Sequence, residues 1–243
     1  MRTAWWFAPI LFCKFSIDNP LTAEGIELGR ILFYDARLSG NNKLSCASCH
    51  RQDIAFSDAT ALTNIGVSAK PLHRHTPTLF NLAWAKSGFF WDGGSKNLES
   101  QALGPLTSED EMHQDLYELE RELKAVPDYV KRFKLAFDRE IRSTDVIKAL
   151  AQFQRTLISA GSRYDLYIRK VSGATLSSQE LQGRDLVNAK CGSCHQGELF
   201  TDDGYRNNLE NAAGVLKRFN FSSTCYVVSE LIGKTNSWDH ALG

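Results

Sequence analysis

Residues 46–50 read Cys-Ala-Ser-Cys-His, and residues 191–195 read Cys-Gly-Ser-Cys-His. Four of the six cysteines therefore lie in two pairs of equal spacing, each followed at once by a histidine, which is not a disulfide pattern. Two thiols at this spacing can each add to one vinyl group of the same porphyrin, and the adjacent histidine can then bind the iron. We therefore predict two covalent c-type haems. Their attachment residues would be Cys46, Cys49 and the iron ligand His50, and Cys191, Cys194 and the iron ligand His195.

Two other functions use paired cysteines. Four cysteines and two histidines could bind zinc, but zinc does not require a histidine directly after the second cysteine. A thioredoxin-like redox pair should follow a strand and open a helix, and no such pattern surrounds either motif. Since bacteria attach haem c outside the cytoplasm, the haem interpretation predicts an exported, periplasmic protein.

Residues 1–18 are interpreted as a weak export signal or an N-terminal extension. Arg2 precedes an apolar run at 4–13, but Pro9 interrupts this run and no small-residue cleavage site follows it. The run is about half as long as a membrane-spanning helix, so we predict no transmembrane span.

The composition is that of an ordinary globular protein of one large domain or two small ones, with 243 residues of which 43% are hydrophobic. The 28 basic residues balance the 28 acidic ones, so no charge excess indicates binding to nucleic acid.

Similar segments precede the two haem motifs, at 21–32 and 176–186. Each is predicted to be a helix, capped by Thr22 in the first case and by Ser177 in the second. Gly29 and Gly183 lie inside these helices, where glycine costs stability. A porphyrin packed on that face and a close helix–helix contact would explain the missing side chains equally well.

The rest of the chain between the motifs is predicted to be helical after a region of loops at 51–110. Three apolar stripes have helical spacing and are interpreted as core: Leu116, Leu119, Leu123; Val130, Phe133, Phe137; and Val146, Leu150, Phe153, Leu157. No strands are evident. The predicted fold class is mainly α, with two cytochrome c-like helical lobes, each holding one covalent haem c, and long loops between.

Four further stretches carry a resemblance to a known family. They are Arg74-His75-Thr76-Pro77-Thr78-Leu79-Phe80-Asn81, Phe89-Phe90-Trp91-Asp92-Gly93-Gly94, Leu98-Glu99-Ser100-Gln101-Ala102-Leu103-Gly104-Pro105-Leu106 and Glu109-Asp110-Glu111-Met112. With the two haem motifs, they closely resemble the bacterial di-haem cytochrome c peroxidases and the related MauG-type enzymes. The resemblance runs from about Asn19 to about Asn208.

The resemblance implies a role for several residues. The first haem would be the peroxide site and the second would receive electrons. Glu111 matches the distal acid–base group, which would take a proton from hydrogen peroxide and return one to the departing oxygen. Gln101 and Pro105 match residues of the distal pocket, and Trp91 matches a tryptophan between the two haems. Without the resemblance, the sequence would favour Glu111 as a solvated member of an acidic run and Trp91 as a core aromatic.

The resemblance also leaves two features open. In many of these peroxidases a loop histidine ligates the first iron until the second haem is reduced, and His73 and His75 lie in the corresponding loop. The family also has a calcium ion between the haems. Because His75 stands where an asparagine is expected, the sequence does not decide whether calcium is a cofactor here.

The domain organisation implied is an N-terminal segment at 1–18, a domain at 19–160 with the peroxidatic haem, and a domain at 161–243 with the electron-transfer haem. The second domain is expected to be incomplete, since residues 209–243 depart from the family pattern and no methionine follows Met112. Three residues remain as candidate distal ligands of the second iron: Tyr205, Tyr226 and His240.

The predicted function is reduction of hydrogen peroxide to water, with electrons from a small periplasmic cytochrome c or cupredoxin. The alternatives are a MauG-type enzyme that oxidises a protein side chain and a non-catalytic di-haem electron carrier. Relatives of this kind often form homodimers.

Overall fold

Helices form most of the regular structure in the described part of the chain. The computed structural model describes residues 18–58, 64–72, 74–85, 88–90, 93–193, 195–196 and 201–202. Its helices are α1 (Ala23–Phe33), α2 (Cys46–Cys49), α3 (Leu98–Thr107), α4 (Leu116–Lys124), α5 (Pro127–Phe137), α6 (Ser143–Arg155), α7 (Arg163–Ile168) and α8 (Ser178–Lys190). Three 3₁₀ turns lie at Ala36–Leu38, Gln52–Ile54 and Leu82–Trp84. The chain divides into two compact units, one ending at Ile158 and the other starting at Ser159. The mainly helical fold class is therefore confirmed.

Helices α1 and α6 form the centre of the first unit. Helix α1 begins at the predicted cap, where Thr22 Oγ1 accepts the backbone N–H of Gly25 at 3.0 Å. Gly29 packs directly against the backbone carbonyl of Ala149 on α6, and a β-carbon there would also lie 2.9 Å from Cβ of Phe153. The missing side chain at Gly29 thus serves a helix–helix contact, one of the two explanations left open by the sequence.

Buried amides fasten the start of α1 to α6. Gln152, which is 2% exposed, accepts the backbone N–H of Thr22 at 3.0 Å and donates to Asn19 at 2.9 Å. Asn19 in turn donates to the carbonyl of Lys148 at 3.0 Å. Each buried polar group is therefore paired, as burial requires.

The apolar stripes of α4, α5 and α6 fill the core with one exception. Leu119, Leu123, Phe133 and Val146 are each at most 1% exposed. Val130 was predicted to be core but is 45% exposed, while its neighbour Tyr129 is buried at 4%. The buried stripe of α5 therefore begins at Tyr129 rather than Val130, and the Tyr129 hydroxyl donates to Asp35 at 2.5 Å.

The region 51–110 is less loop-rich than predicted, because α3 lies within it. Asn97 caps α3 by accepting the backbone N–H of Ser100 at 2.7 Å, and Leu98, Ala102 and Leu106 bury one face. The polar residues that suggested a loop supply this cap and the exposed face.

The second unit contains α7, α8 and a short antiparallel pair, β1 (His195–Gln196) with β2 (Thr201–Asp202). Neither strand was predicted. Ser177, the predicted cap of α8, forms a capping box with Glu180, in which the Ser177 N–H donates to the Glu180 carboxylate at 2.7 Å. Beyond its chain neighbours and the backbone of its own helix, no described atom lies within 4 Å of the β-carbon position of Gly183, so no helix–helix contact explains this glycine, and packing against a porphyrin stays a prediction.

Candidate haem site

The first haem motif forms a single helical turn, α2. Its start is fixed by the backbone N–H of Ser45, which donates to Ser48 Oγ at 3.0 Å. The backbone N–H of His50 closes the turn on the carbonyl of Cys46 at 2.9 Å. Residues three apart on a helix project from the same face, and both cysteines are free thiols. The turn therefore presents two thiols and an adjacent imidazole together, as two thioether bonds to one porphyrin require.

The His50 ring is oriented for ligation through one nitrogen. Its Nδ1 lies 2.9 Å from the carbonyl oxygen of Phe56, so Nδ1 carries the proton and Nε2 keeps the lone pair that would bind iron. Burial lowers the pKa of His50, and the carbonyls of Phe56 and Pro77 and the charge of Asp58 oppose this effect. A neutral imidazole with its second nitrogen so fixed is the usual form of a metal-ligating histidine.

The surroundings of this motif raise the pKa of both thiols. Burial raises the pKa of Cys46 to about 12. Burial, and then the charges of Glu111 and Asp58, raise the pKa of Cys49 to about 11. Zinc sites instead use thiolates. In the part of the chain that is described, no group of three or more His, Cys, Asp or Glu residues could hold a metal ion.

Glu111 differs from the two carboxylates before it. Glu109 and Asp110 are exposed, whereas Glu111 is partly buried. Burial and the charge of Asp110 raise the pKa of Glu111, against a hydrogen bond from Ser108. The charge of Glu111 also raises the pKa of the Cys49 thiol, so the Glu111 carboxylate lies near the first haem motif. A raised pKa makes a carboxyl better suited both to take a proton and to return it.

Backbone hydrogen bonds fix the loop that carries Glu111 on both sides. The N–H of Val67 donates to the carbonyl of Glu111 at 2.7 Å, and the N–H of Gly40 donates to the carbonyl of Met112 at 2.8 Å. Gly66 lies so close that a β-carbon there would overlap the carbonyl of Asp110 and come within 2.7 Å of Cα of Glu111. The carboxylate is thus attached to a backbone with little freedom to move.

Gln101 and Pro105 lie on α3, which is joined to the same loop. The carbonyl of Pro105 accepts the N–H of Met112 at 3.1 Å. Because proline has no N–H, Pro105 cannot donate to the carbonyl of Gln101, four residues earlier in the helix. Both side chains are partly buried. A backbone hydrogen bond therefore joins the loop that carries Glu111 to the part of α3 that carries Gln101 and Pro105.

Sequence reasoning missed Asp58 and the role of His75. The two form a buried ion pair between Asp58 Oδ1 and His75 Nδ1, with the side chains 4% and 18% exposed. No motif indicated Asp58. His75 was considered only as a loop ligand or as the replacement of an asparagine.

Calcium does not fit the described residues around His75. One oxygen of Asp58 faces His75, and the other accepts the backbone N–H of Thr76 at 3.0 Å and the side-chain amide of Asn64 at 2.7 Å. A hard cation would need several oxygen ligands. Here the nearest carboxylate is already engaged, and the neighbouring side chain is an imidazole.

The second motif is described only in part. Cys191 is exposed and ends α8, and the N–H of His195 donates to its carbonyl at 2.8 Å. Cys194, Trp91 and His73 lie outside the described residues, as do Tyr205, Tyr226, His240 and the 1–17 segment. In the residues that could be searched, no helix is both long and apolar enough to cross a membrane.

The comparisons with known proteins agree with this site. The profile of the di-haem cytochrome c peroxidase family matches residues 23–172. The chain therefore belongs to the di-haem cytochrome c peroxidase family, a family of haem oxidoreductases that includes the MauG proteins. Its cofactors are accordingly two covalently bound c-type haems with their iron.

The relatives include both MauG proteins and cytochrome c peroxidases. The methylamine utilization protein MauG of Methylorubrum extorquens is 37% identical over 223 residues, which cover 90% of this chain and 62% of that protein. The cytochrome c551 peroxidase of Pseudomonas aeruginosa is 32% identical over 183 residues, covering 74% and 52%. The crystal structure of a MauG-like protein associated with microbial copper homeostasis is similar with a TM-score of 0.72 and 34% identity, covering 79% and 57%. The chain thus spans about half to three fifths of the length of these relatives.

Proposed function

We propose that this chain forms the peroxide-reducing part of a di-haem cytochrome c peroxidase, and that the domain predicted at residues 19–160 contains the peroxidatic haem. The supporting observation is a partly buried Glu111 with a raised pKa, close enough to Cys49 to act on its thiol. Cys46 and Cys49 would hold the haem and His50 would ligate its iron. Cys191, Cys194 and His195 would hold the electron-transfer haem of the region 161–243.

The haems, when bound, would supply the iron centre for peroxide and would pass on the two electrons of the external donor, and the residues of the chain supply the proton transfers. Reduction of hydrogen peroxide to two waters consumes two electrons and two protons. Glu111 as carboxylate takes the proton from the oxygen that binds, and as carboxylic acid returns it to the oxygen that leaves. Gln101 would steady the bound molecule with its amide, and Pro105 would exclude water from the same wall. Trp91 would lie on the electron path from the second haem.

The test compares Glu111→Gln with Glu109→Gln in matured protein that holds both haems. Glutamine keeps the shape of glutamate but cannot exchange the proton, so we expect peroxide-dependent oxidation of a reduced small cytochrome c or cupredoxin to fall about 10²- to 10⁴-fold in Glu111→Gln. The exposed neighbour Glu109 serves as the control, since its substitution removes one charge from the same loop. Equal turnover in the two variants would refute the role of Glu111.

A MauG-type activity is the second candidate, and the 37% identity to the Methylorubrum extorquens protein favours it. Such an enzyme oxidises a protein side chain, and tyrosine would ligate its second iron. An absorption spectrum without a methionine–iron band, together with peroxide-dependent oxidation of a protein substrate but not of cytochrome c, would support this candidate. Two haems that do not react with peroxide would instead indicate an electron carrier. We further propose a periplasmic location, which fractionation of cells producing the full-length protein would test.

A further inference from the structure

Two segments of the first unit are cross-linked behind the His50 ring. They are 55–58, which follows the haem motif, and 75–78; together we call them the proximal clamp. Thr78 Oγ1 donates to the carbonyl of Ala55 at 2.6 Å, and Ser57 Oγ donates to the carbonyl of Thr76 at 2.7 Å. The N–H of Thr76 donates to Asp58 at 3.0 Å, and His75 forms the ion pair with Asp58. Ser57 Oγ also lies 3.3 Å from Nε2 of His75. Five interactions thus join two segments that are about 20 residues apart in the sequence.

The clamp holds a backbone that is unfavourable by itself. Ala55 and Phe56 both have left-handed backbone angles, with φ of 63° and 54°. Residues other than glycine rarely adopt this region, at a cost of about 1–3 kcal/mol each, and they stay there only when surrounding contacts impose it. The Phe56 side chain is buried at 5%, with its ring 5.9 Å from that of Phe33 and 5.6 Å from that of Phe80. Packing therefore fixes the side chain, and the clamp fixes the backbone on both sides of it.

The carbonyl of Phe56 is the group that this arrangement directs at His50. It accepts the Nδ1 proton at 2.9 Å. The ring nitrogen opposite a hydrogen bond of this kind becomes a stronger metal ligand, because the shared proton leaves more negative charge on the imidazole. The strength of His50 as a ligand thus depends on the direction of a carbonyl in a strained turn.

Asp58 is the anchor of the clamp. Its side chain is 4% exposed, so its oxygens need partners within the protein. The partners are His75, the backbone N–H of Thr76 and the amide of Asn64 at 2.7 Å. Removal of the imidazole donor would leave a buried carboxylate short of one partner and would loosen the segment that begins two residues after Phe56.

We propose that Asp58, His75 and Thr78 are positioning residues for the haem ligand: they hold the Phe56 carbonyl on His50 Nδ1 and thereby set the strength of the bond from His50 to iron. The inference rests on the proposed attachment of the first haem at His50. None of the three residues need touch the haem or peroxide for this role.

The test uses resonance Raman spectroscopy of the reduced protein with both haems in place, where the iron–histidine stretching band reports the ligand strength of a five-coordinate haem. A redox titration of both haems is the second measurement, because it also reports on the first haem if that haem is six-coordinate. Thr78→Val replaces the hydroxyl by a methyl group of similar size and removes one cross-link. His75→Leu removes the imidazole donor, whereas His75→Asn keeps an N–H near the position of Nδ1.

Thr156→Val is the matched control. Thr156 is also partly buried and donates its hydroxyl to a carbonyl, that of Phe153 at 2.7 Å, but it lies at the end of α6 and outside the clamp. It therefore measures the effect of losing one such hydrogen bond elsewhere in the same unit.

We expect Thr78→Val and His75→Leu to shift the iron–histidine band to lower frequency. Both variants should also raise the reduction potential of the haem ligated by His50 and leave that of the other haem unchanged. His75→Asn and Thr156→Val should resemble the unmodified protein. If His75→Leu does not incorporate haem, Thr78→Val decides. The proposal is overturned if Thr78→Val changes neither band nor potential, or if His75→Asn shifts them as far as His75→Leu. Neither measurement needs peroxide. If the variants show these shifts in a protein that does not react with peroxide, the proposed function is refuted but this inference stands.

Discussion

Gly66→Ala should impair the proposed proton transfer although residue 66 carries no functional group. The added β-carbon would overlap the Asp110 carbonyl and lie 2.7 Å from Cα of Glu111. Ordinary van der Waals contact begins at 3.4 Å, so the Glu111 backbone must retreat by at least about 0.7 Å. The hydrogen bond from Val67 to Glu111 opposes this movement because it joins the same two segments.

The expected loss follows from this displacement. A misplacement of about 1 Å in a catalytic group can cost about 10²-fold in rate, so we expect peroxide turnover to fall by about one to two orders of magnitude. Overpacking of a closed site also costs about 1–3 kcal/mol of stability. Stopped-flow kinetics of the reduced protein with peroxide, at a temperature well below unfolding, would measure the rate.

Gly161→Ala supplies the control, since no atom lies within 4 Å of the β-carbon position at Gly161. The control should keep both the rate and the haem spectrum of the unmodified protein. A Gly66→Ala protein that is fully loaded with haem and reacts at the unmodified rate would refute the argument that Gly66 positions Glu111.

Three further results are expected. The raised pKa of Glu111 means that its protonated form stabilises the fold, and that this stabilisation is lost as the pH rises through the folded pKa. Glu111→Gln should therefore have a melting temperature at pH 7 no lower than that of the unmodified protein. A markedly lower melting temperature would contradict the argument that burial raises this pKa. Gly29→Ala should lower the free energy of unfolding in urea by about 1–3 kcal/mol, since the new methyl group meets the backbone of Ala149; an unchanged midpoint would show that the helices separate freely. Glu99→Gln should cost about 3–5 kcal/mol in the same assay, because it leaves the buried Arg155 guanidinium without its carboxylate; a loss below 1 kcal/mol would mean that water reaches the arginine.

Much of the helical frame could be predicted because its signals are local. The caps at Thr22 and Ser177 were predicted from residue type and are present. The stripes of α4 and α6 have the helical period and are buried. Val130 was the exception, since an apolar residue at the right spacing was outcompeted by Tyr129, which offers a larger ring and a hydroxyl that reaches Asp35.

The candidate site was predictable only where a motif or a resemblance named the residue. Two cysteines and a histidine at fixed spacing identify a haem motif, and the raised pKa of Glu111 is consistent with the role suggested by the resemblance. The carbonyl of Phe56 could not be foreseen, because a left-handed phenylalanine has no signal in residue type. The pairing of Asp58 with His75 depends on two loops meeting in space, which periodicity does not reveal.

The contact between α1 and α6 bears on the order of haem attachment and folding. Thr22 and Gln152 lie 130 residues apart, and the first haem motif lies between them. In the proposed periplasmic location, a chain exported from its N-terminus onward would deliver Cys46 and Cys49 before the helix that closes the unit. Closure leaves the Cys46 side chain only partly exposed. The interval between those two events is the period in which the porphyrin can reach both sulfurs, so a change that accelerates closure would lower the yield of haem-loaded protein without touching either cysteine.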